Sequence, residues 1–298
     1  MQQIYAFDRF RPGEVNRAVE RAKCASGKVL NVSVALHFLG CESRVLTVVG
    51  SADRAMVDGE FTALGMSCRW IEMAAPTRTC TTILDRQTGT TTELVENAGP
   101  MSASELATFQ AVFKEEAAKA NFLVLTGSLP AGTPPTFFSE LLADVRCPAL
   151  LDIRGPELLL ALEHRPLVVK PNREELAATI GRPLARDEDL HDAMAELNNR
   201  GAQWVVVTAG KQSVWVRGGG RLYQLDPPQL DRVVNPIGCG DVLAAAIAAA
   251  IDRGDDPLDA VRFGIAAAAE SALTLLPARF DGSRIPARLS TIRTNPVL

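Results

Sequence analysis

The hydrophobic positions of this chain fall into short continuous runs separated by amphipathic segments. Five runs are apolar along most of their length: RVLTVVG (44–50), NFLVLTG (121–127), PALLDI (148–153), PLVVKPN (166–172) and QWVVVTAG (203–210). Strands without a polar face are typical of parallel sheets that helices cover on both sides. The pattern therefore predicts a parallel sheet at the centre of the fold.

Helical periodicity occupies much of the chain between and after these runs. It predicts six helices, over residues 104–120, 134–145, 174–180, 187–200, 241–253 and 258–275. Strands and helices that alternate along a chain indicate an α/β fold with helices on both faces of the sheet. We expect one domain over residues 1–298, a three-layer α/β/α sandwich, because no internal repeat or flexible linker divides the chain.

One stretch departs from this pattern. Residues 77–96, TRTCTTILDRQTGTTTELVE, are rich in threonine, alternate between apolar and polar positions, and contain the turn sequence DRQTG. These features predict an antiparallel hairpin with one exposed face. We expect a hairpin inserted into a parallel α/β protein to be a lid or a contact surface.

Composition narrows the classes of partner and location. The formal net charge of −4 gives no support to a nucleic-acid or anionic-membrane partner, since both require a basic surface. The six cysteines contain no C-x-x-C pair, which argues against a zinc site and favours reduced thiols in a cytoplasmic protein. The longest apolar run, 242–251, is far shorter than the roughly 20 residues of a membrane span.

Four loops are candidates for holding phosphate groups, because each follows a predicted strand or opens a predicted helix. They are TGSLPAG (126–132), KPNREE (170–175), TAGKQS (208–213) and GCGD (238–241). GKQS is not a Walker A loop, and Leu243 stands where a dinucleotide-binding motif has its third glycine. An NAD enzyme is therefore weakly supported.

The GCGD loop combines an anion-binding turn with a single acid. Gly238, Cys239 and Gly240 can direct their amides to one point at the start of a helix, beside the carboxylate of Asp241. A base next to such a cradle is what phosphoryl transfer to an alcohol requires. The alternative interpretation is that Asp241 only caps the helix.

Seven motifs, taken in order, resemble one enzyme family. They are RPGEVNRA, SGKVLNVSVAL, TRTCTTILD, TGSLPAG, VVKPNREEL, VVTAGKQSVWV and NPIGCGD. The chain resembles the ribokinase-like phosphofructokinase-B carbohydrate kinases, and most of all the branch of 1-phosphofructokinase and tagatose-6-phosphate kinase. The resemblance implies an α/β/α sandwich with a small β-lid, here about 3–12 and 77–96, that often serves as a homodimer interface. It also implies transfer of the γ-phosphate of ATP, with Mg²⁺, to a sugar hydroxyl.

The resemblance assigns roles to residues at matching positions. Asp241 would be the catalytic base, and the anion hole would consist of Gly238, Cys239 and Gly240. The sugar phosphate would be bound by Lys28, Asn31, Arg78 and Ser128, with Arg78 and Lys28 on its existing phosphate. The nucleotide would be bound by Lys170, Asn172, Glu175, Thr208, Gly210 and Ser271, with Glu175 reaching Mg²⁺ through water.

Simpler interpretations exist for several of these residues. Lys28 and Arg78 could be solvated charges, Ser128 a turn residue, and Asn172 with Glu175 a helix capping box. The expected substrate is fructose 1-phosphate, with tagatose 6-phosphate or another sugar as the alternative. A catalytically weak sugar-phosphate-binding regulatory protein is the rival from another functional class.

The chain departs from the resembling kinases at a few positions. Their G-G-K-G or A-G-K-G stretch is Ser26-Gly27-Lys28-Val29 here, and Val29 adds a branched side chain where glycine lets a sugar approach. Pro236 replaces a threonine, Cys239 an alanine, and Ser271 an asparagine. The Val29 change leaves the identity of the sugar open, whereas Cys239 is tolerable because its amide is the group that matters.

A last expectation concerns the start of the chain. In the resembling kinases a strand ending in Asn-Pro-Ala and an Asp precedes this region. Here the chain starts at Met1, where those kinases have the residue after Asn-Pro-Ala, and Gln2 stands where they have the Asp. A missing interior strand would leave buried backbone groups unpaired, at about 1–3 kcal/mol each. By analogy with the length of that strand in the resembling kinases, we therefore expect the native protein to begin about ten residues earlier, which is within the usual range of strand lengths. Gln2 in place of the carboxylate would weaken binding of a sugar hydroxyl.

Overall fold

The computed structural model describes residues 1–297, and its strands form three sheets. The largest sheet contains β7 (Leu123–Thr126), β8 (Ala149–Asp152), β9 (Val168–Val169), β10 (Trp204–Val207), β11 (Val214–Gly218), β12 (Arg221–Asp226) and β13 (Arg293–Pro296). A two-stranded parallel sheet consists of β3 (Arg44–Gly50) and β4 (Ser67–Met73). The third sheet, which we call the lid sheet, consists of β1 (Gln2–Phe7), β2 (Glu20–Cys24), β5 (Cys80–Asp85) and β6 (Thr90–Val95).

Ten α-helices accompany these strands in the described part of the chain. They are α1 (Lys28–Phe38), α2 (Arg54–Ala63), α3 (Ala103–Ala117), α4 (Phe137–Leu142), α5 (Gly155–Ala161), α6 (Arg173–Ile180), α7 (Asp187–Arg200), α8 (Cys239–Asp252), α9 (Pro257–Ser271) and α10 (Ile285–Leu289). None of the helices in residues 1–297 has the length and hydropathy of a membrane span.

The two faces of the large sheet bury different hydrophobic clusters. Alternate residues of the central strands point to opposite faces, so that Leu150 and Val206 join a cluster with α8 and α9, whereas Leu151 and Val207 join one with α5 and α7. A strand that is covered on both faces has no polar side, which explains the continuous apolar runs. The fold is an α/β/α sandwich, as expected.

The sheet is parallel only in part. Strands β7 to β10 pair in parallel, as their apolar sequences predicted, but β11, β12 and β13 continue the sheet in antiparallel pairing. The five-strand prediction therefore missed three strands of the large sheet. It also placed β3 in the central sheet, whereas β3 pairs with β4 alone.

The lid sheet forms around the predicted hairpin. Strands β5 and β6 pair in antiparallel register, and β1 lies between β5 and β2. The predicted bounds of the lid, 3–12 and 77–96, left out β2, because its sequence ERAKC is charged and mostly exposed and gives no hydrophobic signal. The inner face of the lid sheet buries Ile4 and Leu84 against Leu275 and Leu276.

Helix α1 packs beside two strands that belong to different sheets and do not pair with each other. It packs against both β3 and β7, yet within residues 1–297 β3 pairs only with β4 and β7 only with β8. The described chain thus places no strand between them.

Candidate active site

The start of α8 is a glycine turn with little room for a side chain. Gly238 is the N-cap of α8 and has a left-handed φ of 85°. A Cβ atom at this position would lie 3.0 Å from Pro277 Cβ and 3.4 Å from Asn31 Nδ2. Glycine is required here because other residues rarely adopt this backbone conformation and would crowd Pro277.

Asp241 lies in the first turn of α8 but does not cap it. Its side chain accepts a hydrogen bond of 2.7 Å from Asn31 Nδ2, and the residue is only 7% exposed. The alternative interpretation of Asp241 as a helix cap is therefore wrong. Burial, followed by the neighbouring Asp152 carboxylate, raises the pKa of Asp241 to about 6, although the hydrogen bond from Asn31 acts in the opposite direction.

A second buried carboxylate, Asp152, holds two lysines beside this base. Asp152 Oδ2 lies 3.2 Å from Lys28 Nζ, and Asp152 Oδ1 lies 3.0 Å from Lys170 Nζ. Burial alone would raise the pKa of Asp152, but the two ammonium groups hold it below its ordinary value. Burial likewise opposes the charge of Lys28, but the surrounding carboxylates, Asp152 foremost, raise its pKa.

Sequence reasoning missed Asp152. The signal was available, because Asp152 is the only charged residue of PALLDI and stands at the carboxyl end of β8, where ligands bind in α/β sheets. A lone acid that ends an apolar strand is better explained by a partner than by solvation, since an unpaired buried charge is costly.

Two of the three amides assigned to the predicted anion hole are free of protein acceptors in the described residues. In residues 1–297 neither the Gly238 nor the Gly240 N–H donates to a protein acceptor, whereas Cys239 N–H donates to Pro236 O at 3.3 Å. Lys170 Nζ lies 3.7 Å from the position that a Cβ atom on Gly240 would occupy. The Lys170 ammonium group therefore lies next to the amides at the start of α8.

The Cys239 side chain adds no charge to this turn. Burial, and then the proximity of Asp241, raise the pKa of the Cys239 thiol to about 12. The residue stays a neutral thiol at physiological pH, so that its replacement of alanine leaves the electrostatics of the turn unchanged.

Asn172 and Glu175 form the capping box that the simpler interpretation predicted. Asn172 Oδ1 accepts from Glu175 N at 2.8 Å, and Asn172 N donates to Glu175 Oε2 at 2.9 Å. The other carboxylate oxygen, Glu175 Oε1, lies 3.9 Å from Lys28 Nζ. The box fixes this second oxygen at the edge of the site.

Thr208, Gly210 and Ser128 line the carboxyl edge of the large sheet. Thr208 forms a bridge to Asn172, and Gly210 follows in a left-handed conformation with φ of 59°. Ser128 is exposed in the loop after β7. Of the four loops selected from the sequence, three directly follow β7, β9 and β10, and the fourth opens α8.

Arg78 precedes β5 at the base of the lid sheet. The Met1 amino group donates to Arg78 O at 2.9 Å and to Ser26 O at 3.4 Å, so the Arg78 loop lies beside the loop that carries Lys28. Within residues 1–297 the half-buried Arg78 guanidinium makes no ion pair or hydrogen bond.

Three other residues singled out in the sequence are buried or packed within the protein. Ser271 is 1% exposed at the end of α9, and its role in nucleotide binding stays a prediction. Val29 packs against the hydrophobic core. The Gln2 amide is buried and donates to Thr82 Oγ1, so it is already engaged within the lid sheet.

Comparison with known proteins gives the family. The model of the pfkB family carbohydrate kinases matches residues 1–277. Similar solved structures include one described as a possible 1-phosphofructokinase from Thermotoga maritima, with TM-score 0.91, 20% identity, and coverage of 100% of this chain and 96% of that chain.

Two further structures share the fold. Phosphofructokinase-2 from Escherichia coli in complex with fructose-6-phosphate has TM-score 0.82 and 24% identity, covering 97% of this chain and 95% of that chain. Arabidopsis thaliana ribokinase complexed with ribose and ATP has TM-score 0.74 and 20% identity, covering 97% of this chain and 95% of that chain. With the family model matched over most of its length, the chain belongs to the pfkB family of carbohydrate kinases and is a phosphotransferase with an alcohol acceptor.

Proposed function

We propose that the protein transfers the γ-phosphate of ATP to a hydroxyl of a phosphorylated ketohexose, with fructose 1-phosphate as the first candidate. The observation that carries this proposal is the buried Asp241 carboxylate beside the Gly238–Gly240 turn, with Lys28 and Lys170 held next to it by Asp152. A base, anion-binding amides and fixed cations in one place match the requirements of phosphoryl transfer to an alcohol.

Asp241 takes the proton of the attacking hydroxyl. With a pKa of about 6 the carboxylate is ionised at neutral pH, yet it is basic enough to accept a proton as the new O–P bond forms. The bond between the transferred phosphorus and the leaving oxygen breaks, and ADP leaves. Asn31 fixes the orientation of the carboxylate through its 2.7 Å hydrogen bond.

Fixed positive groups offset the charge on the transferring phosphoryl group. Lys170 Nζ adjoins Gly240, and Lys28 Nζ is held by the same carboxylate, Asp152. Since these cations are positioned before the substrate arrives, they need little reorganisation during the reaction.

The residues present also fit a nucleotide and Mg²⁺. Lys170, Thr208 and the Gly210 loop would hold the ATP phosphates, and Glu175 Oε1, which the capping box does not use, would bind metal-coordinated water. Mg²⁺ commonly binds through one or two carboxylates, waters and substrate phosphates, which agrees with a single available carboxylate oxygen. When bound, the metal neutralises phosphate charge.

The preference for a phosphorylated sugar rests on Arg78. Its guanidinium has no protein partner within residues 1–297, and the Arg78 main chain lies beside the loop that carries Lys28. A guanidinium binds phosphate oxygens in a bidentate manner. The likeness to phosphofructokinase-2 in complex with fructose-6-phosphate and to the Thermotoga maritima protein favours a ketohexose phosphate.

Arg78→Ala is expected to raise the KM for the sugar phosphate about tenfold to a hundredfold, while the KM for ATP changes less than threefold. A charge-assisted hydrogen bond is worth about 1.5–3 kcal/mol, which sets this range. Steady-state kinetics with each substrate varied in turn measure both constants. Arg146→Ala, at an exposed arginine after α4 and outside the lid sheet, is the matched control. Equal changes in both KM values would reject the assignment.

The test of the function itself is ADP release with a panel of hexoses and hexose phosphates. We expect fructose 1-phosphate or another ketohexose phosphate to give the highest kcat/KM. Binding of a sugar phosphate without ADP release would support the rival interpretation as a regulatory protein. Release that is as fast with unphosphorylated sugars would contradict the role of Arg78.

We also propose a homodimer formed through the lid sheet. The outer face of this sheet carries the half-buried Tyr5 and Ile83, and Leu94, which is 56% exposed. Apolar side chains that cluster on an exposed sheet face indicate an interaction surface. One structurally similar protein, Escherichia coli phosphofructokinase-2, has been solved in a tetrameric inhibited form.

Leu94→Asp is expected to weaken this dimer at least tenfold, because it places a charge within an apolar contact. Sedimentation equilibrium of the wild type and the variant measures the dissociation constant. Leu160→Asp, at a similarly exposed leucine on α5, is the control and should leave the constant unchanged. A wild type that is monomeric at tens of micromolar (roughly the −6 to −7 kcal/mol range of association) would contradict the proposal.

A further inference from the structure

A serine hydroxyl is linked to the base through one intervening amide. Ser26 Oγ donates to Asn31 Oδ1 at 2.8 Å, and Asn31 Nδ2 donates to Asp241 Oδ2 at 2.7 Å. Ser26 and Asn31 are 8% and 5% exposed, so that water competes little for these bonds. The resembling kinases have glycine or alanine at the Ser26 position, and neither can make this contact.

The orientation of the Asn31 side-chain amide determines whether it favours or disfavours the ionised form of Asp241. An asparagine side chain has an oxygen that only accepts and a nitrogen that only donates. With Ser26 on the oxygen of Asn31, the nitrogen is directed to Asp241. A rotated amide would place its oxygen against the Asp241 carboxylate, which disfavours the ionised base.

Ser26 is itself held in place by its neighbours in the fold. The adjacent Ala25 N donates to Glu60 Oε2 at 2.7 Å, and Glu60 also forms an ion pair with Arg279. The main chain of Ser26 therefore has a fixed position relative to α2, which carries Glu60.

We infer that Ser26 is a positioning residue of this chain, which acts with the Asp241 carboxylate to stabilise the orientation of the Asn31 amide and thereby keeps the base Asp241 ready to accept a proton. The inference rests on the proposed function for its catalytic consequence, but the hydrogen-bond relay can be tested without turnover.

Other titratable groups also face Asp241 and do not depend on Ser26. They are Asp152 at the end of β8, Lys28 on α1, Lys170 after β9 and the Cys239 thiol on α8. Since these groups remain in place, removal of the Ser26 hydroxyl is expected to change only the contribution of Asn31. That contribution favours the ionised form of Asp241.

The experiment is a carboxyl ¹³C NMR titration of Asp241 in the full-length protein, with Asp241→Asn used to assign its signal. Ser26→Ala is expected to raise the titration midpoint by about half to one pH unit, the size of one hydrogen bond. Ser26→Thr, which restores a hydroxyl, should return the midpoint to within about 0.2 pH units of the wild type. Ser33→Ala removes another buried hydroxyl of the same region, bonded to Ser43, and should leave the midpoint unchanged.

The pH dependence of kcat/KM extends the test to catalysis. Ser26→Ala should lower kcat/KM threefold to about tenfold below pH 6 and less than about twofold at pH 8, because only the ionisation of the base changes. A midpoint that moves by less than 0.2 pH units (about 0.3 kcal/mol), or an equal loss of activity at all pH values, would overturn the inference. A shifted midpoint in a protein with no kinase activity would instead support the relay and contradict the proposed function.

Discussion

Replacing Asp241 with asparagine is expected to lower kcat by about 10²–10⁴ while ATP still binds, since this is the usual contribution of a positioned general base. The amide keeps the shape of the side chain and can still accept the hydrogen bond from Asn31. It cannot take a proton from the sugar hydroxyl. A variant with near-normal turnover would show that Asp241 is not the base.

The same substitution is expected to stabilise the fold. Folding raises the pKa of Asp241 from its ordinary 3.8 to about 6, so that the folded protein binds this proton more tightly than the unfolded chain does. The ionised carboxylate therefore destabilises the fold increasingly between pH 3.8 and about 6, and fully above pH 6. The difference of about two pH units corresponds to roughly 3 kcal/mol that Asp241→Asn would recover at pH 7.

Urea unfolding of the wild type and Asp241→Asn at several pH values measures this effect. We expect the gap in the free energy of unfolding to be largest at pH 7 and to close below pH 4, where both side chains are neutral. The wild type should also lose activity as the pH falls through about 6. A variant that is less stable than the wild type at pH 7 would contradict the assigned burial of an ionised base.

Asp152→Asn is expected to destabilise the protein by about 3 kcal/mol and to abolish most activity. The carboxylate is 1% exposed and compensates two ammonium groups, of which Lys170 is itself buried. A neutral amide leaves these charges uncompensated, and breaking one side of a buried ion pair typically costs about 3–5 kcal/mol. The lower end is expected here because the partly exposed Lys28 can turn to solvent.

Control substitutions compare the loss of a buried ion pair with the loss of an exposed ion pair. Asp144→Asn removes a carboxylate paired with Lys114 at 2.7 Å, but these side chains are 61% and 72% exposed, so little or no change in the free energy of unfolding is expected. Combining Asp152→Asn with Lys170→Met should recover part of the lost stability, because the buried cation is then absent. Equal effects of Asp152→Asn and Asp144→Asn would show that the network is not electrostatically coupled.

The sequence predicted the layers of the fold better than the details of the site. Continuous apolar runs identified β7 to β10, because burial on both faces removes all polar positions. Charged or exposed edge strands such as β2 and β13 carry no such signal and were missed. The bounds of α8 were found to within two residues, since an Ala-rich buried helix leaves little ambiguity.

Side-chain partners could not be predicted from spacing alone. Asp241 was identified through the glycine turn, but its hydrogen bond to Asn31 joins residues 210 positions apart. Asp152 was overlooked because its partners, Lys28 and Lys170, come together only when α1 and β9 meet at the edge of the sheet. Conversely, Asn172 and Glu175 are three positions apart, and their capping box was predictable from that spacing.

The most direct test of the central claim is ³¹P NMR of the wild-type protein with ATP, Mg²⁺ and fructose 1-phosphate, beside an identical sample of Asp241→Asn. We predict that ADP and a sugar bisphosphate appear in equal amounts with the wild type and at least a hundredfold more slowly with the variant, as loss of a positioned base requires. ADP without a new sugar bisphosphate, or equal rates in both samples, would contradict the account.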